Sequence, residues 1–193
     1  MLAPAETDWL HHTLAISGPV DMVGKFRTTA RGTNAAPWSL DLDAEEARLL
    51  APMAREGRAA RALVAELREV IATNHERMLA RWHEPGTCLL DLHRLVPIPP
   101  SILQLGEDHA RARVWLWENW GTTQTLRHVR LVEEAADGRR RRTRRDVLAF
   151  SSADWTPWQA LRRIRRDWPD LIFTVDPRYQ FTEAASGGEK KGA

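Results

Sequence analysis

The sequence predicts an α+β fold: a mainly antiparallel sheet of about five strands with helices on one face. Three observations carry this. A strand–helix unit opens the chain, a strand–helix–strand unit closes it, and a hairpin lies between them. Two crossovers around a hairpin are the pattern of a ferredoxin-like sandwich.

The opening unit begins with a strand over residues 12–17, where Leu14 and Ile16 share a face. Gly18-Pro19 then starts a helix, with Pro19 at the first helical position, where its missing N–H is harmless. Val20, Val23 and Ala30 fall near one side with Phe26 beside them, and Gly32 is a natural stop. Residues 33–43 read as a loop with a short strand at 38–42. A helical stretch from 44 is interrupted around Pro52 and Gly57, and a longer helix covers 58–82. Leu63, Leu67, Val70, Ile71, Met78 and Trp82 form its apolar stripe. Residues 34–86 therefore read as a helical insertion packed against the sheet.

Residues 88–96 read as the next strand, stopped by Pro97, Pro99 and Pro100. A short helix over 108–119 ends among Trp115, Trp117 and Trp120, and Gly121 permits the turn. Residues 126–134 and 139–151 pair around Asp137-Gly138, a type I′ turn signal. That turn sets Arg142 opposite Glu133 and Arg141 opposite Glu134. In the closing unit, Asp154 or Thr156 caps a helix and Pro157 enters its first turn. Trp158, Leu161, Ile164 and Trp168 make the buried stripe, and Arg162, Arg163, Arg165 and Arg166 face water. Pro169 ends the helix and 171–175 returns as a strand, by a crossover expected to be right-handed. One domain over 1–181 and a disordered tail over 182–193 complete the expectation.

Composition narrows the function. Hydrophobic residues make up 43% of the chain, enough for a core and too many for global disorder. Apolar runs are short, which argues against a transmembrane helix. The first residues lack the basic and apolar regions of a signal peptide, so a cytoplasmic location is expected. Cys88 is the one cysteine, which excludes an internal disulfide and a cysteine-built zinc site within one chain. Beside Leu89 and Leu90 it reads as a small buried hydrophobe.

Charge is segregated: residues 1–100 carry more acids than bases, and 101–193 the reverse. Nearly all the cations are arginine, whose planar fork grips phosphate, although gene composition gives the same bias. The run Arg139, Arg140, Arg141, Arg142, Arg144 and Arg145 is the strongest charge feature. On a hairpin it would make a cationic finger for phosphates. Arg162 and Arg166 would extend that patch. The turns Asn119-Trp120-Gly121-Thr122 and Asp154-Trp155-Thr156-Pro157 are candidate ligand or partner surfaces, because helix ends leave backbone groups unpaired and tryptophan can stack on a base. Their alternative is a tryptophan-rich minor core. Histidine offers no linear motif: His75-Glu76 lacks the second histidine of a zincin, and Asp91 with His93 makes a weak metal pair. No phosphate loop or nucleophile elbow is present. No catalytic residue, metal or cofactor is singled out.

The segments HHTLAISGPVDMVGKF, LHRLVPIPP, WENWGTT and FSSADWTPWQALRRIRRDWPDLIF occur in an order that resembles the YubB-type proteins of plasmids and phages. The likeness covers roughly residues 11–31, 88–99 and 115–175. It implies a ferredoxin-like domain and a mobile-element setting, and no established activity. Where that family tends to continue Trp-Gly-Thr with Lys-Trp, this chain has Thr123-Gln124.

These readings converge on a non-enzymatic accessory protein of a mobile element that binds DNA or RNA through the arginine-rich hairpin. A protein-interaction module acting on a host factor, through the tryptophan turns and inserted helices, is the alternative. An RNA-processing enzyme on the same scaffold would need a role for His11 or His12.

Overall fold

The computed structural model describes residues 8–53, 57–82, 86–134 and 142–178. The Asp137-Gly138 turn and the tail expected over 182–193 lie outside the described residues. Strand β1, Trp9–Pro19, runs into helix α1, Val20–Ala30. The strand is longer than expected and Pro19 caps the helix from its last position, supplying a fixed φ of −56° and no side-chain bond. Helix α2, Leu42–Leu50, follows, capped by Asp41, which accepts from the amides of Asp43 and Ala44. A 3-10 turn, Ala51–Met53, separates it from α3, Gly57–Trp82. The strand expected at 38–42 is absent, because the Asp41 cap turns that segment into a helix start.

The strand expected at 88–96 is also absent. Gly32 and Cys88 form an isolated bridge, and Asp91 then caps the short helix α4, Leu92–Leu95, by accepting from the His93 amide at 2.9 Å. The fully buried Asp91 carboxylate also accepts from the Asn34 amide at 3.0 Å. Burial raises its pKa, and these amides pull the other way. Asp91 and His93 are thus a capping pair in the interior, not a metal pair on a strand. Cys88 is half-buried, donates to Leu90 O, and burial pushes its thiol up to about 11.

Helices α5, Pro100–Leu103, and α6, Ala110–Asn119, lead into β2, Arg127–Glu134. Strand β3, Thr143–Ala153, helix α7, Trp158–Asp167, and β4, Ile172–Arg178, close the fold. The sheet has four strands among the described residues, in the order β2-β3-β1-β4, and every pairing is antiparallel. The fifth strand is missing because the 88–96 segment is a bridge and a helix.

The hairpin register differs from expectation. Glu133 pairs with Val147 and Glu134 with Asp146, and shifts interrupt the ladder at 127–130 and 131–133. Arg142 therefore does not face Glu133. The turn signal would have set Glu134 opposite Arg141, and the strands do not meet that way. The irregularities in β2 move its residues along β3 relative to the regular ladder that the turn signal implied.

Alternation divides the sheet into two faces. Leu14, Ile16, Leu148, Phe150 and Phe173 enter the core with Val23 and Phe26 of α1 and Leu161 and Ile164 of α7. Phe26 meets Phe173 and Trp168 edge-on, at 5.2 and 5.3 Å between centroids. No residue of α2 or α3 belongs to that core. The insertion packs mainly on itself, with Arg68 of α3 paired to Asp43 and Glu46. On its expected stripe, Leu63 and Val70 are 49% and 55% exposed, while Ala60 and Val64 are buried instead.

Candidate functional site

The second face of the sheet carries mostly exposed or half-buried side chains, with Ser151 and Val147 buried among them. In β1 it presents Trp9, His11, Thr13, Ala15 and Ser17, and their register partners bring Ser151, Ala149 and Val147 from β3 and Arg178, Asp176 and Thr174 from β4. Strand β2 adds Arg127, opposite Ser151, and Arg130, opposite Ala149. Arg127, Arg130 and Arg178 are exposed or half-buried at this surface. Among the described residues Arg130 and Arg178 make no ion pair. Arg127 lies over the Trp9 ring, 3.9 Å from its centroid, a cation–π contact. Arg145, opposite Ser17, adds a further cation to the same face. Asp176, opposite Thr13, lies on the same face.

A groove of about 710 Å³ is cut into this face and lined by strand residues only, including His11, Thr13, His128, Arg130, Ser151 and Arg178. A bulge in β2 shapes it. Three steps from Arg127 to Arg130 oppose two from Ser151 to Ala149, and His128 takes up the extra residue with φ of 53°. Such bulges re-aim a side chain, and a positive φ on a non-glycine residue is uncommon. His11 is fixed differently: its Nδ1 lies 2.9 Å from the Oγ of buried Ser151.

Its neighbour His12 points into the interior. The ring stacks on Phe150 at 5.0 Å and 5°. Nδ1 donates to Leu10 O at 3.0 Å, which leaves Nε2 to accept from Thr156 Oγ1 at 2.9 Å. Burial lowers its pKa to about 4, so the ring is neutral at physiological pH.

The arginine run divides by alternation. Arg139, Arg140 and Arg141 lie outside the described residues. Arg142 is exposed just before β3, and its carbonyl accepts from the Val20 amide at 3.2 Å. Arg145 lies on the second face. Arg144 turns to the covered side, where its Nε donates to the buried Asp146 at 2.8 Å and Arg27 of α1 approaches at 3.6 Å. It therefore ties the hairpin base to α1 and is not a free finger residue. Arg162 and Arg166 are exposed on α7, with Arg166 beside Asp167. That helix covers the opposite face, so these two do not extend the second-face patch.

The two tryptophan turns do come together, as a joint. Trp120 is fully buried and its Nε1 donates to Val96 O at 2.9 Å. Asn119 Nδ2 donates to Trp115 O, and Thr122 Oγ1 to Ala153 O at 2.8 Å. The Asp154 carboxylate accepts from Thr123 Oγ1 and from the Asp8 amide, which holds Asp154 at φ of 67°. The Trp120 carbonyl accepts from the Ala160 amide. These groups satisfy one another, so Trp120 and Thr122 are interior, and Trp155 alone of the set presents a large exposed side chain, at 47%.

Sequence reasoning missed Arg127, His128, Arg130, Arg178 and Trp9 as members of one surface. The signal available was the alternation in 11–17, where His11, Thr13, Ala15 and Ser17 oppose Leu14 and Ile16. No described helix is long and apolar enough to cross a membrane, and no group of three metal-ligating side chains occurs among the described residues. No family model, curated protein or solved structure matches the chain.

Proposed function

We propose that the chain binds nucleic acid on this second face of a ferredoxin-like sheet, with the arginine run at 139–142 contributing further cations to the binding. The strand–helix–strand arrangement at each end and the β2-β3-β1-β4 antiparallel order support the ferredoxin-like reading. The observation that carries the binding proposal is the gathering of Arg127, Arg130, Arg145 and Arg178 on one face, with Trp9 and a groove among them. Cations along the strands can follow a phosphate backbone, and an aromatic ring beside an arginine is a surface on which an unpaired base can stack. An accessory role in a mobile element rests on the resemblance to YubB-type proteins alone.

Fluorescence titration of single-stranded RNA, single-stranded DNA and duplex DNA at several salt concentrations tests this. Binding should weaken linearly in log salt. The double substitution Arg130→Ala, Arg178→Ala should reduce the slope on a single strand by about 1.4, about 0.7 for each phosphate no longer neutralised. Serine at 139–142 should flatten it further. Wild-type protein that binds none of these at low salt ends the proposal, and an unchanged slope in the double variant moves the binding surface elsewhere.

A further inference from the structure

The groove holds more than cations. Two histidines from strands on either side of β3 reach it, His11 from β1 and His128 from the β2 bulge, and two arginines lie beside them. His11 pairs with Ser151, and Ser151 pairs with Arg127, the residue before His128. The two histidine backbones are therefore about 10 Å apart, two strand spacings. That separation leaves room between the rings for one phosphodiester. We infer that this groove cleaves RNA by metal-independent transfer of a phosphodiester to the adjacent 2′-oxygen, an activity that rests on the nucleic-acid reading above.

The chemistry needs a base, an acid and a clamp for the charge that builds on the phosphoryl oxygens. His11 supplies the base. In the tautomer that donates Nδ1–H to Ser151 Oγ, Nε2 carries the free lone pair, and Ser151 acts as a positioning residue. The 2′-hydroxyl gives its proton to Nε2 as the 2′-oxygen bonds to phosphorus. The bond from phosphorus to the 5′-oxygen breaks, and that oxygen takes a proton from the His128 imidazolium. The products are a 2′,3′-cyclic phosphate and a 5′-hydroxyl, with no water, metal or oxidant consumed. Arg130 and Arg178 are placed to balance the added negative charge. The other charged groups near His11 on this face are Arg178 and Asp176 on β4 and Arg127 on β2. The absence of a linear catalytic motif is no obstacle, since the groups come from three strands.

The test incubates the full chain, in EDTA, with a labelled single-stranded RNA, its all-DNA counterpart and its 2′-O-methyl counterpart. All three should bind and the RNA alone should be cut, leaving cyclic phosphate ends detectable by mass spectrometry. His11→Ala and His128→Ala are surface changes. Each should lower kcat by about 100-fold or more while RNA binding is retained. Ser151→Ala should lower kcat and leave KM in place. RNA that is bound but not cut overturns this inference and leaves the binding proposal standing. So does cutting that survives both histidine changes, or ends other than cyclic phosphate. RNA that is not bound at all overturns both.

Discussion

At the scale of single residues, His11 and His12 show how alternation assigns opposite work to chemically identical neighbours. One is exposed and bonded to Ser151; the other is a buried neutral ring stacked on Phe150. Burial has a thermodynamic signature. In the unfolded chain His12 takes up a proton near its ordinary 6.5, whereas in the fold it stays neutral until about 4. Between those values the unfolded state binds more protons, so stability falls as pH falls through this window, by about 3 kcal/mol at most. His93, lowered by burial and accepting from the Ile98 amide through Nδ1, acts in the same sense. Asp91, raised by burial, acts in the opposite sense. Urea unfolding of the wild type at pH 7.5, 6 and 5 should show the loss. His12→Phe should be less stable at pH 7.5, because Thr156 loses its acceptor, yet lose less on acidification. Parallel losses in both proteins would assign the acid sensitivity to other groups.

At the scale of elements, legibility followed the strength of local punctuation. Helix α7 was readable to within a residue or two because Pro157, Pro169 and a clean stripe of Leu161 and Ile164 all agree. Residues 88–96 misled because Leu90, Leu92, Val96 and Ile98 alternate like a strand, and a short apolar run does not distinguish strand from buried helix. Only Asp91, reaching its own downstream amide, decides the matter. The pairing of these strands was foreseen but its register was not, since two irregularities in β2 depart from the ladder that the local turn signal implies. That error hid the site: without the register, Arg127 and Arg130 have no reason to sit beside His11 and Arg178. The joint between the tryptophan turns yields its own prediction. Trp120→Phe keeps the aromatic filling but leaves Val96 O without its donor, which should cost about 1–3 kcal/mol in chemical denaturation. A loss below the error of measurement would mean that water replaces the indole N–H.

At the scale of the whole molecule, the 42–82 segment stands apart energetically. Helix α2 buries no residue, α3 buries only Ala60 and Val64, and neither enters the core around the sheet. Trp38 before it does belong to that core, and Trp82 at its end meets the edge of His93 at 4.9 Å. Replacing 42–82 with a Gly/Ser linker should therefore leave a cooperative melt and an intact second face, measured by calorimetry and by RNA titration. Loss of a cooperative transition would show that the insertion supports the fold by means other than packed apolar surface.

The two-faced sheet also bears on how this surface could change over time. Positions 13, 15, 17, 149 and 174 lie on the second face, one residue out of step with the interior. Substituting them would alter the proposed binding surface while Leu14, Ile16, Leu148 and Phe150 keep their places in the core. Recognition can drift quickly on such a scaffold while the hydrophobic half of the same strands stays put, and a library varied at those alternate codons alone would explore new ligands at little risk to folding.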